Sequence, residues 1–547
     1  MNLKAVLFDM DGVVTATAKV HAAAWQRVFD EFLEAQDGSG FRPFDPKRDY
    51  RRYVDGKPRY AGVESFLASR GIELPYGGVA DPPDALTVCG LGNRKDGYFR
   101  AWLVGHRAQA FPGTVKLVRE LRDAGIRVAV FSASRNAVDV LSSAQVLDLF
   151  DAKVDGGDLA RLRLPGKPDP AMLREAAARL AMKPEQCAVI EDSIAGIEAA
   201  VRGGFGCAIG VNRGEHGAAL RDAGAQLVVH DVAELALASS GAERRLVVKT
   251  LADLPTVWDH NAELRRRLQG RELAVFLDYD GTLTPIVEDH TRAFLAGEVR
   301  EAVRALSERC KVAVVSGRDL ALLRSLVQLD TVYCAGSHGF EIAGPAGRRV
   351  SLERGVEFLP EIDAVERALR TRLAGIAGHS VERKRFSVAV HFRQVAPRDV
   401  SLLEDVVDAV LAEHPHMRRG HGKMVFEIQP DIDWNKGEAV RWLLERLGAD
   451  LPDVVPVYLG DDITDEHAFR ALAGRGVCVA VRDGATRPTA ADFALDHVAD
   501  VPAFLGMLAA LPGTPAKPGA QAEPAEPRGP AGAGAPDRGG SPGSTSA

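Results

Sequence analysis

Cysteine is scarce in this 547-residue chain. The sequence has six cysteines, and no two of them form a CxxC pair. A disulfide framework and a cysteine-rich zinc site both need clustered cysteines, so this pattern argues against both. Scattered single cysteines are typical of proteins whose thiols stay reduced. We therefore expect a cytoplasmic location and free thiols at Cys89, Cys187, Cys207, Cys310, Cys334 and Cys478.

Long apolar runs are also missing. No run reaches the roughly 18 residues that a membrane span needs. The short apolar run near the start of the chain stops at Asp9, so we expect no secretory signal and no membrane partner. The formal net charge is −7, which argues against a nucleic-acid partner.

The chain is too long for a single hydrophobic core, because such cores stop growing at about 250–300 residues. Apolar runs alternate with amphipathic helical patterns, which predicts α/β units around parallel sheets. We expect one domain over 1–240, a helical linker over 241–271 and a second domain over 272–511. Residues 512–547 are rich in Pro, Gly, Ala and Ser and have no aromatic residue, which predicts a disordered tail.

The same acidic turn occurs twice in the sequence. LFDMDG contains Asp9 and Asp11, and FLDYDG contains Asp278 and Asp280. Each turn follows a short apolar run that predicts a buried strand. In each half a serine, a lysine and an acidic pair then follow further predicted strands: Ser132, Lys167 and Glu191–Asp192 in the first half, and Ser316, Lys436 and Asp461–Asp462 in the second.

The spacing of these motifs shows how the halves are related. One offset of 269 residues relates three pairs: Asp9 and Asp278, Lys167 and Lys436, and Asp192 and Asp461. The serines break this pattern, because 123 positions separate Asp9 from Ser132 but only 38 separate Asp278 from Ser316. Each half therefore has the same core with a large insertion at a different place. We expect two related catalytic domains with two different lids.

These residue types suit phosphoryl transfer. Ligands of open parallel sheets bind at the carboxyl ends of the strands, where all of the motifs lie. A first aspartate can attack phosphorus and a second can protonate the leaving oxygen. Clustered acids suit Mg²⁺, and a serine and a lysine can bind the phosphoryl oxygens. One Asp-Gly pair alone would indicate only a turn, but the ordered repeat makes chance turns a poor explanation.

With these motifs, both halves resemble the haloacid dehalogenase-type phosphotransferase superfamily from Met1 to about Leu511. The resemblance implies two Rossmann-like α/β cores, with a helical cap after the first strand of the first half and an α/β cap after the serine motif of the second. It implies that Asp9 and Asp278 are nucleophiles and that Asp11 and Asp280 are general acid/bases. It further implies Mg²⁺ sites at Asp9, Asp11, Glu191 and Asp192 and at Asp278, Asp280 and Asp461, with Asp462 beside the latter.

The second half resembles trehalose-6-phosphate phosphatases. The stretches that match are FLDYDGTLTPI, VSGRD, AGSHGFEI, VERKRFSVAVHFR, GKMVFEIQPDIDWNKGEAV and YLGDDITDEHAF. The resemblance implies that four lid residues hold the disaccharide: Glu382, Lys384, Lys423 and Glu427. His338 in GSHG either lines the site or has a structural role.

The first half resembles β-phosphoglucomutases and their hydrolase relatives, through FDMDGVVTAT, YVDGKPRYAGVESFLASRGI, LGNRKDGYF, FSASRN, GKPDP and IEDSIAGIEAA. The resemblance implies that Arg59 and Lys95 in the lid contact the non-transferring phosphate of a hexose bisphosphate. Ser132, Arg135 and Asn136 match the phosphate-side loop. Ala16 departs from the mutase pattern, which commonly reads TDTA, and this favours a more general sugar phosphatase.

These patterns together predict a trehalose-6-phosphate phosphatase fused to a hexose-phosphate mutase or phosphatase, which could convert β-glucose 1-phosphate to glucose 6-phosphate. The expected partners are small sugar phosphates. Three alternatives stay open: a mutase with a purely structural second half, a catalytically silent sugar-phosphate sensor, and a phosphoprotein phosphatase. Both sets of motifs are intact, which disfavours the first two, and large lids disfavour a protein substrate.

Overall fold

A parallel sheet lies at the centre of the first half and a mostly parallel sheet at the centre of the second, as the alternating sequence patterns predicted. Two strand pairs at one edge of the second sheet are antiparallel. The computed structural model describes residues 2–213, 216–241, 243–287, 292–345, 350–422 and 424–511. The predicted tail and Lys423 lie outside the described residues.

The first sheet has six parallel strands in the order β3-β2-β1-β4-β5-β6. The side chains of Val6 and Phe8 pack on one face of the sheet, and those of Ala5 and Leu7 pack on the other. Both faces are buried, which explains the continuous apolar runs of the sequence. The strands are β1 Ala5–Asp9, β2 Arg127–Phe131, β3 Ala152–Val154, β4 Cys187–Glu191, β5 Cys207–Val211 and β6 Leu227–Val229.

A helical lid is inserted between β1 and β2, which confirms the predicted cap of the first half. Its centre is aromatic, with the ring centroids of Phe29 and Phe66 4.1 Å apart. The lid helices are α1 Ala18–Asp37, α2 Arg59–Ser69 and α3 Val88–Gly105, with a π-helical turn at Tyr50–Val54. The helices of the core are α4 Pro112–Asp123, α5 Ala137–Ser143, α6 Gly156–Leu162, α7 Ala171–Arg179, α8 Ile194–Arg202 and α9 Gly217–Asp222.

The segment between the halves differs from the helical linker that the sequence predicted. β7 (Leu235–Ser240) and β8 (Glu243–Val248) form an antiparallel hairpin. The hairpin forms because its pairing buries Leu235 and Leu246 against the first core. Among the described residues of this stretch, α10 (Asn261–Leu268) is the one α-helix, and it packs on the second core. The domain boundaries themselves stay a prediction.

The second half has an eight-stranded core sheet and a separate four-stranded lid sheet. The core order is β13-β12-β11-β10-β9-β18-β19-β20, and the antiparallel lid order is β14-β15-β17-β16. The strands are β9 Glu272–Leu277, β10 Lys311–Val315, β11 Tyr333–Gly336, β12 Glu341–Ala343, β13 Ser351–Glu353, β14 Ser380–Lys384, β15 Ser387–His391, β16 Met417–Gly422, β17 Val425–Pro430, β18 Val454–Gly460, β19 Val477–Val481 and β20 Phe493–Leu495.

The lid of the second half follows the serine strand β10, as predicted. Two helices pack against its sheet around Val365, Val388 and Val407. The helices of the second half are α11 Gly297–Ser307, α12 Leu320–Val327, α13 Leu359–Leu373, α14 Val400–Glu413, α15 Lys436–Arg446, α16 Glu466–Leu472 and α17 Val501–Ala510. Among the described residues, none of the helices is both long and apolar enough to cross a lipid bilayer.

Buried ion pairs join the two cores. Lys116 Nζ on α4 lies 2.7 Å from Asp492 Oδ1, which precedes β20. Arg470 on α16 lies 2.9 Å from Glu234, whose side chain is almost completely buried. One partner of each pair is almost completely buried, so separating the cores would leave a buried charge without its partner.

A second set of ion pairs connects the first lid to the second half at the surface. Lys19 on α1 lies 2.6 Å from Asp433, and Lys47 lies 2.9 Å from Asp431. Both aspartates lie in the short segment between β17 and α15. This segment leads from the lid of the second half back to its core.

Candidate active sites

The first site forms where β1 and β4 end. Lys167 Nζ lies 2.6 Å from Oδ1 of Asp9 and also donates to Glu191. All three side chains are buried. The two carboxylates therefore hold the lysine at the end of the sheet, where the sequence pattern predicted the nucleophile.

The second site repeats this arrangement where β9 and β18 end. Lys436 Nζ lies 2.6 Å from Asp278 Oδ1 and 2.7 Å from Asp465 Oδ1. The hydroxyl of Tyr458 donates to the same Asp465 oxygen at 2.7 Å. Asp465 was missed by sequence reasoning, which selected the neighbouring Asp461 and Asp462.

A reciprocal exchange of residues explains why Asp465 was missed. With the offset of 269, Gly460 corresponds to Glu191 and Asp465 corresponds to Gly196. A Cβ at Gly196 would overlap the Glu191 carboxylate, and a Cβ at Gly460 would overlap the Asp465 carboxylate. Each site therefore has one carboxylate and one glycine at these two positions, in opposite order.

Burial dominates the electrostatics of both sites. It raises the pKa of Asp9 well above its ordinary value, and Lys167 offsets only part of this effect. Burial likewise raises the pKa of Asp278, together with the nearby Asp465 and despite Lys436. Burial alone would lower the lysine pKa values, but the paired carboxylates outweigh it and raise them. Both lysines are therefore held as cations.

Each site contains a carboxylate cluster that suits a divalent cation. Oxygens of three carboxylates lie within 4.8 Å of one another at Asp9, Glu191 and Asp192, and again at Asp278, Asp461 and Asp465. Metal binding requires all three carboxylates to be ionised, and with one lysine they then carry a net charge of −2. Hard cations such as Mg²⁺ bind this oxygen set. In the part of the chain that the structure describes, neither cluster includes the predicted metal ligands Asp11 and Asp280.

The glycine of each DxDG turn makes room for a cluster carboxylate. Gly12 and Gly281 both have φ of +85°, a conformation that favours glycine. A Cβ at Gly12 would overlap the Asp192 carboxylate, and a Cβ at Gly281 would overlap that of Asp461. The DG pair is therefore required both by the turn and by the close approach of an acid.

The second aspartate of the first site is held partly by its lid. Thr17 donates to Asp11 Oδ1 at 2.5 Å, and Ser132 donates to Oδ2 at 3.2 Å. His21 Nε2 on α1 lies 3.3 Å from Oδ1. Burial alone would raise the pKa of Asp11, but His21 and Thr17 outweigh it and lower the pKa to about 2. Asp11 is therefore ionised in the resting site.

The second aspartate of the second site has a core partner instead. Arg318 donates to Asp280 through Nε at 2.7 Å and through the terminal guanidinium nitrogen at 2.5 Å. Arg318 follows β10 in VSGRD, and its backbone N–H donates to Ser316 Oγ at 3.2 Å. VSGRD is one of the stretches that match the family, but the motif alone predicted no role for Arg318.

The lid of the first site places cations around a cavity of about 270 Å³. Lys95 Nζ lies 2.5 Å from Nδ1 of His21, and burial followed by Arg59 lowers the Lys95 pKa to about 7. The Arg135 guanidinium lies 5.9 Å from the ring centroid of Tyr60. Trp25 lines the cavity and also stacks on Phe29.

The lid of the second site brings together three predicted sugar-binding residues on one face of its sheet. Glu382 and Glu427 lie in one row, because both pair with Ala389. Lys384 Nζ lies 3.0 Å from Glu427 Oε1. Burial raises the Glu427 pKa, but Lys384 and His338 outweigh it and hold it well below its usual range.

His338 connects this lid to the core. Its Nε2 lies 2.9 Å from Glu427 Oε2, and its backbone N–H donates to the Ser316 carbonyl at 2.8 Å. His338 has φ of +55° and Ser337 has φ of +49°, which is strained for residues with a Cβ. His338 thus contacts the phosphate-side loop and the lid together.

Comparisons with known proteins divide the chain in the same way as the structure. A family profile described as trehalose-phosphatase matches residues 276–499. A second profile, haloacid dehalogenase-like hydrolase, matches residues 3–204. Each profile includes the complete DxDG turn of its half.

Relatives that this chain matches over most of their own length decide the family. A trehalose-phosphate phosphatase of Mycobacterium tuberculosis is 40% identical over 337 residues, which are 61% of this chain and 84% of that protein. One of Mycobacterium leprae is 36% identical over 410 residues, which are 72% of this chain and 92% of that protein. The chain belongs to the trehalose-phosphate phosphatase family.

One relative is much longer than this member of the trehalose-phosphate phosphatase family. An uncharacterized glycosyl hydrolase of Mycobacterium tuberculosis is 39% identical over 515 residues, which are 92% of this chain. The chain spans only 38% of the length of that protein. Among solved structures, an Aspergillus fumigatus trehalose-6-phosphate phosphatase matches 47% of this chain and 98% of its own, with 28% identity and a TM-score of 0.36.

Most of the site residues predicted for this member of the trehalose-phosphate phosphatase family lie together in the structure. The predicted nucleophiles, serines and lysines of both sites converge at the ends of core strands. The predicted lid residues Glu382, Lys384 and Glu427 lie together on one face of the second lid sheet. Three residues that contact predicted site residues were not selected from the sequence: Arg318, Asp465 and Asp96 of the first lid. Each stands within a few positions of a selected residue, which was the available signal.

Proposed function

We propose that the second half hydrolyses trehalose 6-phosphate to trehalose and phosphate. The observation that carries this proposal is the contact of His338 with Glu427. This contact brings the charged face of the lid next to the loop of Ser316. The sugar of a substrate whose phosphate is bound at Asp278 would then lie against Glu382, Lys384 and Glu427. Such a mixed set of acids and bases suits a ligand with many hydroxyls. The names of the relatives agree with this substrate.

The chemistry follows from the positions of two aspartates. An Asp278 oxygen attacks phosphorus, the ester bond to the sugar breaks, and the leaving oxygen takes a proton from Asp280. Asp280 then takes a proton from water, whose oxygen attacks the aspartyl phosphate and releases phosphate. Lys436 and Ser316 stabilise the charge on the phosphoryl oxygens as it develops.

We propose Mg²⁺ as the cofactor of both sites. Its ligands would be Asp278 and Asp461 in the second site and Asp9 and Asp192 in the first. When bound, it would neutralise the net charge of the carboxylates and draw the anionic phosphate toward the nucleophile.

We propose that the first half transfers phosphoryl groups of hexose phosphates at Asp9, as a mutase or a phosphatase. The support is the same arrangement of Asp9, Lys167 and the acid cluster below a lid lined by cations. We place the protein in the cytoplasm, which agrees with six free cysteines. All of these assignments concern the chain as given, which matches only part of the longer relative.

The first test is phosphate release from trehalose 6-phosphate with Mg²⁺, compared for the wild type, Asp278→Asn and Asp9→Asn. We expect Asp278→Asn to reduce release to background and Asp9→Asn to leave it near the wild-type rate. An inactive wild type that still binds the sugar would favour the sensor alternative. Loss of release in Asp9→Asn alone would assign the substrate to the other half.

A further inference from the structure

The lid end of the first site carries a carboxylate of its own. Asp96, on α3, accepts from the Arg59 guanidinium at 2.5 Å and from Asn136 Nδ2 at 2.7 Å, both through Oδ1. Arg100 Nε lies 3.1 Å from Oδ2. The Asp96 side chain is 14% exposed. Arg59 belongs to the lid and Asn136 to the core, so Asp96 joins the two across the closed cavity.

These contacts bear on the number of phosphates that the site can hold. Arg59 is one of the two lid cations that the resemblance to mutases implies for the second phosphate of a hexose bisphosphate. In this protein Arg59 already donates to Asp96. A phosphate at the same position would lie against a fixed carboxylate in a partly buried site, where like charges repel more strongly than in water.

A hydroxyl group matches this position better than a phosphate. A carboxylate accepts hydrogen bonds and a guanidinium donates them, so Asp96 and Arg59 together suit a group that does both. Asp9, Arg59 and Asp96 all line the same cavity, so one bound ligand could contact the predicted nucleophile and this pair together. Ala16 independently departs from the mutase sequence pattern.

We propose that the first site takes a sugar monophosphate whose far end carries hydroxyls, and that it hydrolyses this ester instead of exchanging phosphates with a bisphosphate. The proposal rests on the function proposed above for Asp9 and specifies its substrate class. Asp11, which is ionised in the resting site, takes the proton of the monoanionic phosphate ester as the substrate binds. Asp9 attacks phosphorus, the bond to the sugar oxygen breaks, and that oxygen takes this proton from Asp11. Water then attacks the aspartyl phosphate, loses a proton to Asp11 and releases inorganic phosphate.

The test compares two ligands that differ only at the far end, β-glucose 1-phosphate and β-glucose 1,6-bisphosphate. Calorimetry measures their binding with Mg²⁺ to the full chain carrying Asp9→Asn and Asp278→Asn, which prevents turnover at both sites. We expect the monophosphate to bind at least tenfold more tightly. Adding Asp96→Asn should strengthen bisphosphate binding at least tenfold, and Asp96→Ser should do the same if the amide perturbs packing.

Asp84→Asn is the matched control, because it removes the same charge from an exposed position of the same lid. It should change neither affinity. Product analysis in the Asp278→Asn chain should show inorganic phosphate as the main product from β-glucose 1-phosphate. Tighter binding of the bisphosphate by the chain with Asp96, with glucose 6-phosphate as the main product, would overturn the proposal alone. Binding of neither sugar would instead refute the hexose-phosphate function of the site, and this inference with it.

Discussion

Asp465 gives the second site the carboxylate that Glu191 gives the first, from a position five residues further along the repeat. Both contact the catalytic lysine of their site, and both are buried. The glycines Gly196 and Gly460 occupy the positions that the acids leave. The constraint on the fold is therefore the place of the carboxylate beside the lysine, and two positions of the chain satisfy it.

Asp465→Asn should abolish most trehalose 6-phosphate hydrolysis while the first site keeps its activity. Among the described residues, the change leaves Lys436 with Asp278 as its acidic partner, and it removes one negative charge from the carboxylate cluster. We expect kcat to fall by roughly a hundredfold or more, as for other groups that hold charge in place. Steady-state phosphate release measures this. Asp462→Asn, next to the cluster, is the control and should have a much smaller effect; equal losses in both variants would contradict the assignment.

Gly281→Ala should inactivate the second site, and Gly12→Ala should inactivate the first. The added methyl group would overlap the Asp461 or Asp192 carboxylate, and alanine tolerates a φ of +85° poorly. Each variant therefore serves as the control of the other, because the two turns are the same. Assays of both activities in both variants check this. Retained activity in the altered site would show that the carboxylate can move without loss of function.

His338 offers a way to separate backbone strain from side-chain contact. Replacement by Gly or Ala removes the imidazole that holds Glu427, so both variants should raise KM for trehalose 6-phosphate by roughly tenfold, the cost of about one hydrogen bond to a charged group. Only glycine relieves the left-handed backbone, so His338→Gly should be more stable than His338→Ala by about 1 kcal/mol. Substrate kinetics and urea unfolding measure the two effects. An unchanged KM in both variants would limit His338 to a structural role.

Asp492 makes the joint between the cores dependent on pH. Burial alone would raise the Asp492 pKa, but Lys116 and Arg267 outweigh it and hold the pKa below its usual value. Because the pKa of Asp492 is lower in the folded state, its carboxylate stabilises the protein at pH values above its unfolded-state pKa of about 3.9. That contribution is lost as the pH falls through the lower pKa of the folded state.

Asp492→Asn should therefore destabilise the protein by roughly 3 kcal/mol at pH 7, and the deficit relative to the wild type should shrink with acidification. Urea unfolding at pH 7 and at the lowest pH at which the wild type stays folded measures this difference. Glu120→Gln is the control, since Glu120 is half exposed and 3.9 Å from Lys116. A deficit that stays constant with pH would show that charge at Asp492 does not contribute.

The core of both domains could be predicted from the sequence because buried parallel strands and their terminal acids leave a strong local pattern. Asp9 is the last residue of β1, and Asp278 directly follows β9, as the apolar runs indicated. The change in the Asp-to-Ser spacing was enough to place both lids. These features depend on residues that are close in sequence or that repeat at one offset.

The features that could not be predicted depend on packing between distant segments. The prediction of a helix over β8 was wrong. The β7–β8 hairpin depends on burial of Leu246 against the first core, and a local sequence pattern does not show this long-range contact. Arg318 contacts Asp280, and Asp96 contacts Arg59 and Asn136. These partners are distant in sequence, so the sequence alone did not show the contacts. The repeat itself concealed Asp465, since the acid and the glycine had exchanged positions.

The ion pairs between the two halves are of two kinds, one between the cores and one between the first lid and the second half. Lys116–Asp492 and Glu234–Arg470 each have one buried partner and join the two cores. Lys47 belongs to the first lid, and its partner Asp431 lies in the segment that leads from the second lid back to Lys436. A movement of the first lid away from this segment would break the Lys19–Asp433 and Lys47–Asp431 pairs, so the position of the first lid is linked to the connection between the second lid and its core.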